Sequence, residues 1–378
     1  MSFEGFPLIV GWELTLTCNL RCRHCASAAG LPRPNELSLE ECLAICDQFP
    51  ALLVREVDFT GGEPLLMPGW DRLAARLREH AIAVRMVTNG IGLTADTVAA
   101  MKDAGVAAVG VSLDGLAGTH DYVRALDGMF QRVVAGIERL VAGGIPPTVI
   151  TAVNALNLAE LPGIFHLLRS MGVRAWQVQP IFPWGRGAAQ PGLCLNEDQY
   201  CEFGRFVAEW EPACHAADMQ LRPADSCGYF GEIACGPEWH GCSAGIAAVG
   251  IMSDGRVKGC LSMPDEFAEG DLRKNDLWDI WFRPGAFACT RDWDYRRLGP
   301  NCAGCAYGEQ CRGGCTSMSY TLSGRVHNDP LCFHGIQTRR GSGSHLRHNG
   351  FVQPGAAVRP TSPPSAAHSS SDSNSAPP

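Results

Sequence analysis

Eighteen cysteines in 378 residues constrain this chain more than any other feature. In a short secreted domain they would read as a disulfide framework, but that reading needs an export signal. Met1 to Val10 has neither a positively charged start nor a sustained apolar stretch, and no window of the sequence reaches the length of a membrane span. A cytoplasmic protein is expected, with cysteines that serve metal or redox chemistry. Three of them, Cys18, Cys22 and Cys25, stand in a CxxxCxxC pattern directly after the first predicted strand, so one short loop offers three thiolates to one site. Three ligands leave one iron of a cubane cluster open, whereas structural zinc takes four and His24 is at hand as a fourth donor. By spacing alone, cluster and zinc both stand.

With 46% hydrophobic and 19% charged residues the chain can bury the core of one large domain and a smaller one. A formal charge of -8 and the lack of any long Lys/Arg run exclude the electrostatic footprint of a nucleic-acid binder, and no membrane partner is expected. From Leu8 to about Pro180 short β-branched runs alternate with helical patterns, which predicts strand-helix units around a parallel sheet. The predicted strands are Leu8–Thr15, Val57–Thr60, Ile82–Thr88, Ala107–Ser112, Thr148–Val153 and Ala175–Gln179. Ser38 with Glu41 forms a capping box, Thr94 and Asn157 read as N-caps, and Gly105 and Gly172 sit where helices stop. Six units make an α/β fold, a partial (β/α)6 TIM-like barrel whose ligands belong at the C-terminal strand ends.

Asn196 to Glu211 reads as a further helix. Beyond it Cys, Gly, Pro and Trp become frequent with little periodicity, as in a segment that needs metal to hold it together. From about Gly341 to Pro378 the chain is rich in Ser, Pro, Ala and Gly, and a disordered tail is expected. The expected domains are a barrel over 1–180, a connector over 181–241, a cysteine-rich domain over 242–340 and a tail over 341–378.

The triplet and the motifs after it resemble the radical S-adenosylmethionine superfamily, over about Leu8 to Phe182. The resemblance implies one catalytic 4Fe-4S cluster on Cys18, Cys22 and Cys25, with its open iron chelated by S-adenosylmethionine, which the reduced cluster cleaves to a 5′-deoxyadenosyl radical. Gly61, Gly62, Glu63 and Pro64 end the second strand like the family's GGEP element, where backbone and carboxylate hold the cofactor's amino group; a buried ammonium needs such an acceptor. Ser112 and Asp114 close the fourth strand, where the family places ribose contacts. Arg124, twelve residues after Ser112, looks like the arginine that binds the cofactor carboxylate. Asn89, after the third strand, is a weaker candidate for the same pocket. His24 stands where the family often has an aromatic residue.

Cys242, Gly255, Cys260, then Cys302, Cys305, Cys311 and Cys315 in a CxxCxxxxxCxxxC run, and finally Cys332, resemble the seven-cysteine SPASM domain. That resemblance implies two auxiliary 4Fe-4S clusters, with Cys242, Cys260 and Cys315 on the first and Cys302, Cys305, Cys311 and Cys332 on the second. A zinc ribbon is the alternative for the four close cysteines. Cys42 and Cys46, four apart on one helix, read as packed thiols. Cys227 and Cys235 flank Tyr229 in the connector, and each is open as a cluster ligand, a hydrogen donor or neither.

The family resemblance points first to an enzyme that modifies a ribosomally made peptide by a cross-link or epimerisation. It also implies a flavodoxin or ferredoxin-type electron donor. Seventeen residues precede Cys18, too few for a winged-helix leader-binding domain, so a separate leader-peptide-binding protein or the connector is expected to recognise the peptide. A sulfatase maturase fits less well, because Lys258-Gly-Cys-Leu-Ser262 has no acidic residue beside the cysteine. Tailoring of a tetrapyrrole-like cofactor is a further alternative, on the Cys22-Arg-His-Cys25 run. A non-catalytic iron-sulfur electron carrier or zinc-held binding module is the alternative of another class.

Overall fold

The computed structural model describes residues 5–224 and 241–341. Cys227, Cys235 and the tail beyond Gly341 lie outside the described residues. Six parallel strands, β1 (Ile9–Thr15), β2 (Glu56–Gly61), β3 (Ala83–Thr88), β4 (Val106–Ser112), β5 (Pro147–Val153) and β6 (Ala175–Pro180), lie in sequence order. They match the predicted strands to within a residue at most ends, because each is a β-branched run closed by Gly, Pro or a helix cap. Between them run the helices α1 (Leu39–Cys46), α2 (Trp70–Glu79), α3 (Ala95–Ala104), α4 (Ala117–Arg124), α5 (Met129–Gly143) and α6 (Leu161–Ser170). The Ser38–Glu41 capping box forms, Thr94 caps α3, and Gly105 closes α3 in the left-handed region.

Asn157 stands at the N-cap position of the 3-10 turn Leu158–Glu160 that leads into α6, but it caps by position alone. It makes no side-chain cap bond and α6 starts only at Leu161; instead its amide donates to the carbonyls of Asp114 and Ala152. The reason is burial: Asn157 is fully enclosed between β4 and β5, where those carbonyls need donors.

Strand side chains alternate between the two faces of the sheet. Val10, Trp12 and Leu14 of β1, Val57 and Phe59 of β2, and Val84 and Met86 of β3 are buried on the outer face, under the helices. Trp12 meets Phe49 and Phe59 edge-on. Each such side chain contributes about 1.5–3 kcal/mol by leaving water. Cys42 and Cys46 belong to this core, which settles them as packed thiols. The inner face carries the alternate set, in which Gly11, Glu13, Asp58, Thr60, Arg85, Ser112, Gln177 and Gln179 are interleaved with apolar Val87, Ala108, Ile150 and Ala152.

The sheet does not stop at six strands. The long helix α7 (Glu197–Ala216), capped by Asn196 and Gln199, runs five residues past its predicted end and through Pro212; it leads to β7 (Gln220–Pro223), parallel to β6. At the other edge β8 (Ala248–Ile251) pairs parallel with β1, and β9 (Arg256–Lys258) and β10 (Gly270–Asp271) follow antiparallel. The cysteine-rich region, expected to depend on metal, thus begins as part of the barrel's own sheet. Short helices follow: α8 (Leu277–Phe282), α9 (Ala288–Arg291), α10 (Gly308–Cys311), α11 (Thr316–Ser323) and α12 (Phe333–Gly341). The last returns to α7, where Phe333 stacks on Tyr200 at 4.4 Å and Arg339 pairs with Glu197. Among the described residues no helix is long and apolar enough to cross a membrane.

Candidate active site

The Cys18–Cys25 loop leaves the C-terminal end of β1 and is held by its neighbours. Gly62 N donates to Thr15 O at 2.7 Å, and Glu63 N to Thr17 O at 2.8 Å. That approach explains the glycine pair: a Cβ on Gly61 would stand 2.2 Å from Thr15 O, and one on Gly62 2.2 Å from Thr17 O. Asn89 reaches the same loop from the end of β3, its amide donating to Asn19 Oδ1 at 2.7 Å and lying 3.9 Å from Cys18 Sγ. Burial raises the thiols of Cys18 and Cys22, and among their neighbours only Arg124 opposes this at Cys22 with a charge.

Glu63 is fully enclosed. Its carboxylate accepts from the Thr88 hydroxyl at 2.7 Å, Asn89 N at 2.8 Å and Leu65 N at 3.3 Å. Burial nevertheless outweighs those donors and pushes it up to about 7. A buried carboxyl in that state favours the arrival of a cation.

Asp114 and Arg124 meet at 2.7 Å, both buried, and Arg124 Nη1 lies 3.7 Å from Cys22 Sγ. Asp114 Oδ1 accepts from Ala152 N, and its Oδ2 also faces His24 Nε2 at 3.4 Å. Burial works against the Asp114 charge, yet Arg124, His24 and His120 bring its carboxyl below the usual range. Asp114, expected among the ribose contacts, is therefore engaged with protein groups, and it holds Arg124 beside the cysteine loop. Ser112 stands half-buried at the end of β4.

Sequence reasoning left His24 as a substitution and passed over His120, whose Nδ1 accepts from Asp114 N at 3.0 Å. Burial, with the Arg124 charge, pushes both imidazoles down to about 4, so both are neutral. The sequence signal for His120 was thin, a histidine six residues after Asp114. Asp58 was missed as well. It lies on the inner face of β2, beside Arg85 in register, and burial with the nearby Glu56 pushes it up to about 6.

In the C-terminal region the cysteines gather in two groups. Cys242 shares a hydrogen bond with Cys315 and others with Thr316, which outweigh burial and lower it to about 6. Gly259, next to Cys260, packs against Ala244 and Gly245 of the turn that follows Cys242. Cys302, Cys311 and Cys332 form the other group with Cys305: burial raises all three, and the charges of Asp329 and of neighbouring cysteines in the group add to it. Sixteen of the eighteen cysteines lie among the described residues. Among the described residues no three His, Cys, Asp or Glu side chains converge on a single point.

These features are those of a radical enzyme's barrel with an iron-sulfur appendage, and comparison with known proteins agrees. Residues 12–168 match the radical SAM superfamily, and the chain belongs to it. Residues 242–306 match SPASM, an iron-sulfur cluster-binding domain, so the protein is a radical SAM/SPASM enzyme. The AdoMet-dependent heme synthase of Methanosarcina barkeri is 29% identical over 88% of this chain and 98% of its own length. The mycofactocin maturase MftC of Mycobacterium ulcerans is 28% identical over 87% of this chain and 88% of its own. Streptococcus suis SuiB bound to S-adenosylmethionine shares the fold, with a TM-score of 0.71 at 16% identity over 87% of this chain and 76% of that one.

Both domains imply iron-sulfur clusters and S-adenosylmethionine. The residues present fit these groups. Three thiols share one loop, and around them His24 Nδ1, His120 Nε2 and Arg124 Nε are buried with no hydrogen-bond partner. Such atoms are costly unless a ligand satisfies them.

Proposed function

We propose that the enzyme modifies a peptide, and that Cys18, Cys22 and Cys25 hold its catalytic 4Fe-4S cluster. The observation that carries the peptide reading is the charge of the barrel interior. Most cations near its inner face are paired with acids, Arg85 with Glu56, Lys258 with Asp265 at 3.3 Å, and Arg33 with Glu13 at 2.6 Å, while Arg222, in register with Gln177, donates to Gln220 Oε1. Asp58 adds an acid that makes no hydrogen bond or ion pair among the described residues. A tetrapyrrole bearing several carboxylates would meet few unpaired cations here, and each unmatched charge would cost several kcal/mol to desolvate. A peptide, whose backbone amides can use Gln177, Gln179, Thr60 and Ser112, carries no such demand.

Bound there, the cofactor and the reduced cluster would supply hydrogen-atom abstraction from the substrate. The chain's own residues bind and orient. Glu63 and the carbonyls beside Gly61 and Gly62 receive the cofactor's ammonium. Arg124, held by Asp114, takes its carboxylate, and Asn89 and Ser112 line the remaining edge. Cys242, Cys260 and Cys315, and Cys302, Cys305, Cys311 and Cys332, serve two auxiliary clusters. A flavodoxin or ferredoxin-type protein delivers the electron in the cytoplasm, and a separate leader-peptide-binding protein or the connector presents the substrate. Two proteins of this fold, SuiB and anSMEcpe, are known with bound peptides.

A second reading, tetrapyrrole tailoring, is favoured by the heme synthase relative, whose length the chain covers almost entirely. Incubating the reconstituted enzyme with the short peptides encoded beside its gene separates the two. A mass change on a peptide supports the proposal. Conversion of a propionate-bearing tetrapyrrole, with every peptide unchanged, contradicts it.

Glu63 makes a pH prediction. Its folded pKa, about 7, lies above its unfolded value, so the stability associated with it is lost as pH rises through about 7 in the unliganded protein. A bound cation reverses that loss. The melting-temperature gain on adding S-adenosylmethionine is therefore expected to be larger at pH 8 than at pH 6, and Glu63→Gln is expected to flatten the difference. An equal pH dependence in the variant removes Glu63 from the ammonium site.

A further inference from the structure

The start of the connector, the segment directly after β6, is built against the cysteine loop. One end is fixed to the barrel: Ile181 N donates to Val153 O, Ala155 N donates to Leu193 O, and Ile181, Leu193 and Ala152 form a small apolar cluster. The middle, Trp184 to Gly187, crosses to the loop that follows β1. There Arg186 N donates to Cys25 O at 3.0 Å, its Nε to Cys22 O at 2.9 Å and its Nη1 to Ala29 O at 2.7 Å. Gly185 has φ +55°, and a Cβ there would stand 2.1 Å from Ala26 O. Only a glycine lets the strap come this close.

From the other side the loop is pinned once more. Arg23 N donates to Val123 O, and the Arg23 side chain donates to Tyr122 O while lying over the Tyr122 ring at 4.2 Å. Between these two attachments the loop has weak internal support, the Cys25 N to Cys22 O bond being 3.4 Å long. The carbonyls of Cys22 and Cys25, two of the three candidate ligands, are thus both held by Arg186.

We propose that Arg186 is a positioning residue for the catalytic cluster: its planar guanidinium and its backbone N–H clasp the cysteine loop in the shape that lets three thiols meet one cubane. The inference rests on the assignment of Cys18, Cys22 and Cys25 to the cluster. Two effects separate. The fork spans the carbonyls of Cys22 and Ala29 at once, a geometry that lysine cannot copy. The positive charge lies beside a site that gains an electron on reduction, so it favours the reduced state.

Full-length protein, reconstituted and reduced, tests both. In Arg186→Ala the EPR signal that responds to S-adenosylmethionine is expected to disappear several-fold faster than in wild type when an iron chelator is added, with the auxiliary signals unchanged. Its midpoint potential is expected to be more negative. Arg186→Lys is expected to restore the potential while remaining chelator-sensitive, and it carries the test by chelation rate if the alanine variant does not fold. A wild-type chelation rate and potential in Arg186→Ala overturn the clasp. A wild-type protein with no signal responsive to S-adenosylmethionine overturns the cluster assignment instead, so the two failures are told apart.

Discussion

Replacing Cys18, Cys22 and Cys25 together with alanine is expected to abolish 5′-deoxyadenosine formation and to lower the iron content by about one cubane per chain. The three thiols lie on a single loop whose course is set by Gly62, Glu63, Asn89 and Arg186 rather than by the thiols themselves. The loop should therefore keep its path and lose only its ligands. The auxiliary clusters are expected to remain, although the two regions share one sheet. Pairing of β1 with β8 over Ile9 to Trp12 ends before the loop begins, and its buried partners do not include the triplet. Iron and sulfide analysis with EPR checks this; a triple variant that still cleaves S-adenosylmethionine removes the loop from the mechanism.

Arg124→Ala is expected to have the next largest effect, with the cluster retained. Losing one partner of a buried charge pair typically costs about 2 to 5 kcal/mol, or roughly 30-fold to 4000-fold in Kd for S-adenosylmethionine. The same change strands Asp114, fully buried and 2.7 Å from the missing guanidinium, so the protein itself should lose about 3 to 5 kcal/mol of stability. The two losses separate in the double variant with Asp114→Asn, which restores part of the stability and none of the affinity. Equilibrium binding to the cluster-loaded protein and thermal melts check the pair. Unchanged affinity in Arg124→Ala assigns the cofactor's carboxylate to another group.

The fold was legible where local rules and burial agree. The six strands were readable because each is a short β-branched run whose alternate residues, such as Val57 and Phe59, go into the core. Ser38, Thr94 and Gly105 were readable because capping chemistry is local. Asn157 takes its cap position without a capping bond because its amide answers to carbonyls brought in by tertiary structure. The added strands β7 and β8 were hidden for a similar reason: four residues each, they exist because β6 and β1 offer them unpaired edges. At the site, Cys18, Glu63, Asp114 and Arg124 stood in motifs. His120, Asp58 and Arg186 did not, and His24 stood in the cysteine motif without a readable role: His24 and Arg186 act through partners about ninety or more residues away, Asp58 faces a neighbouring strand, and His120 answers to the backbone of Asp114. Asp114 shows the limit of a motif: its place in the strand was readable, but its engagement by Arg124 and His24 was not.

This chain is expected to generate a radical by reductive cleavage of S-adenosylmethionine. The most direct test is to reconstitute the full-length protein with iron and sulfide under strict anaerobiosis, reduce it, add S-adenosylmethionine and follow 5′-deoxyadenosine. Formation of 5′-deoxyadenosine that depends on the reductant and is lost in the cysteine triple variant is the expected result. No 5′-deoxyadenosine from a protein that carries its full complement of iron would contradict the account.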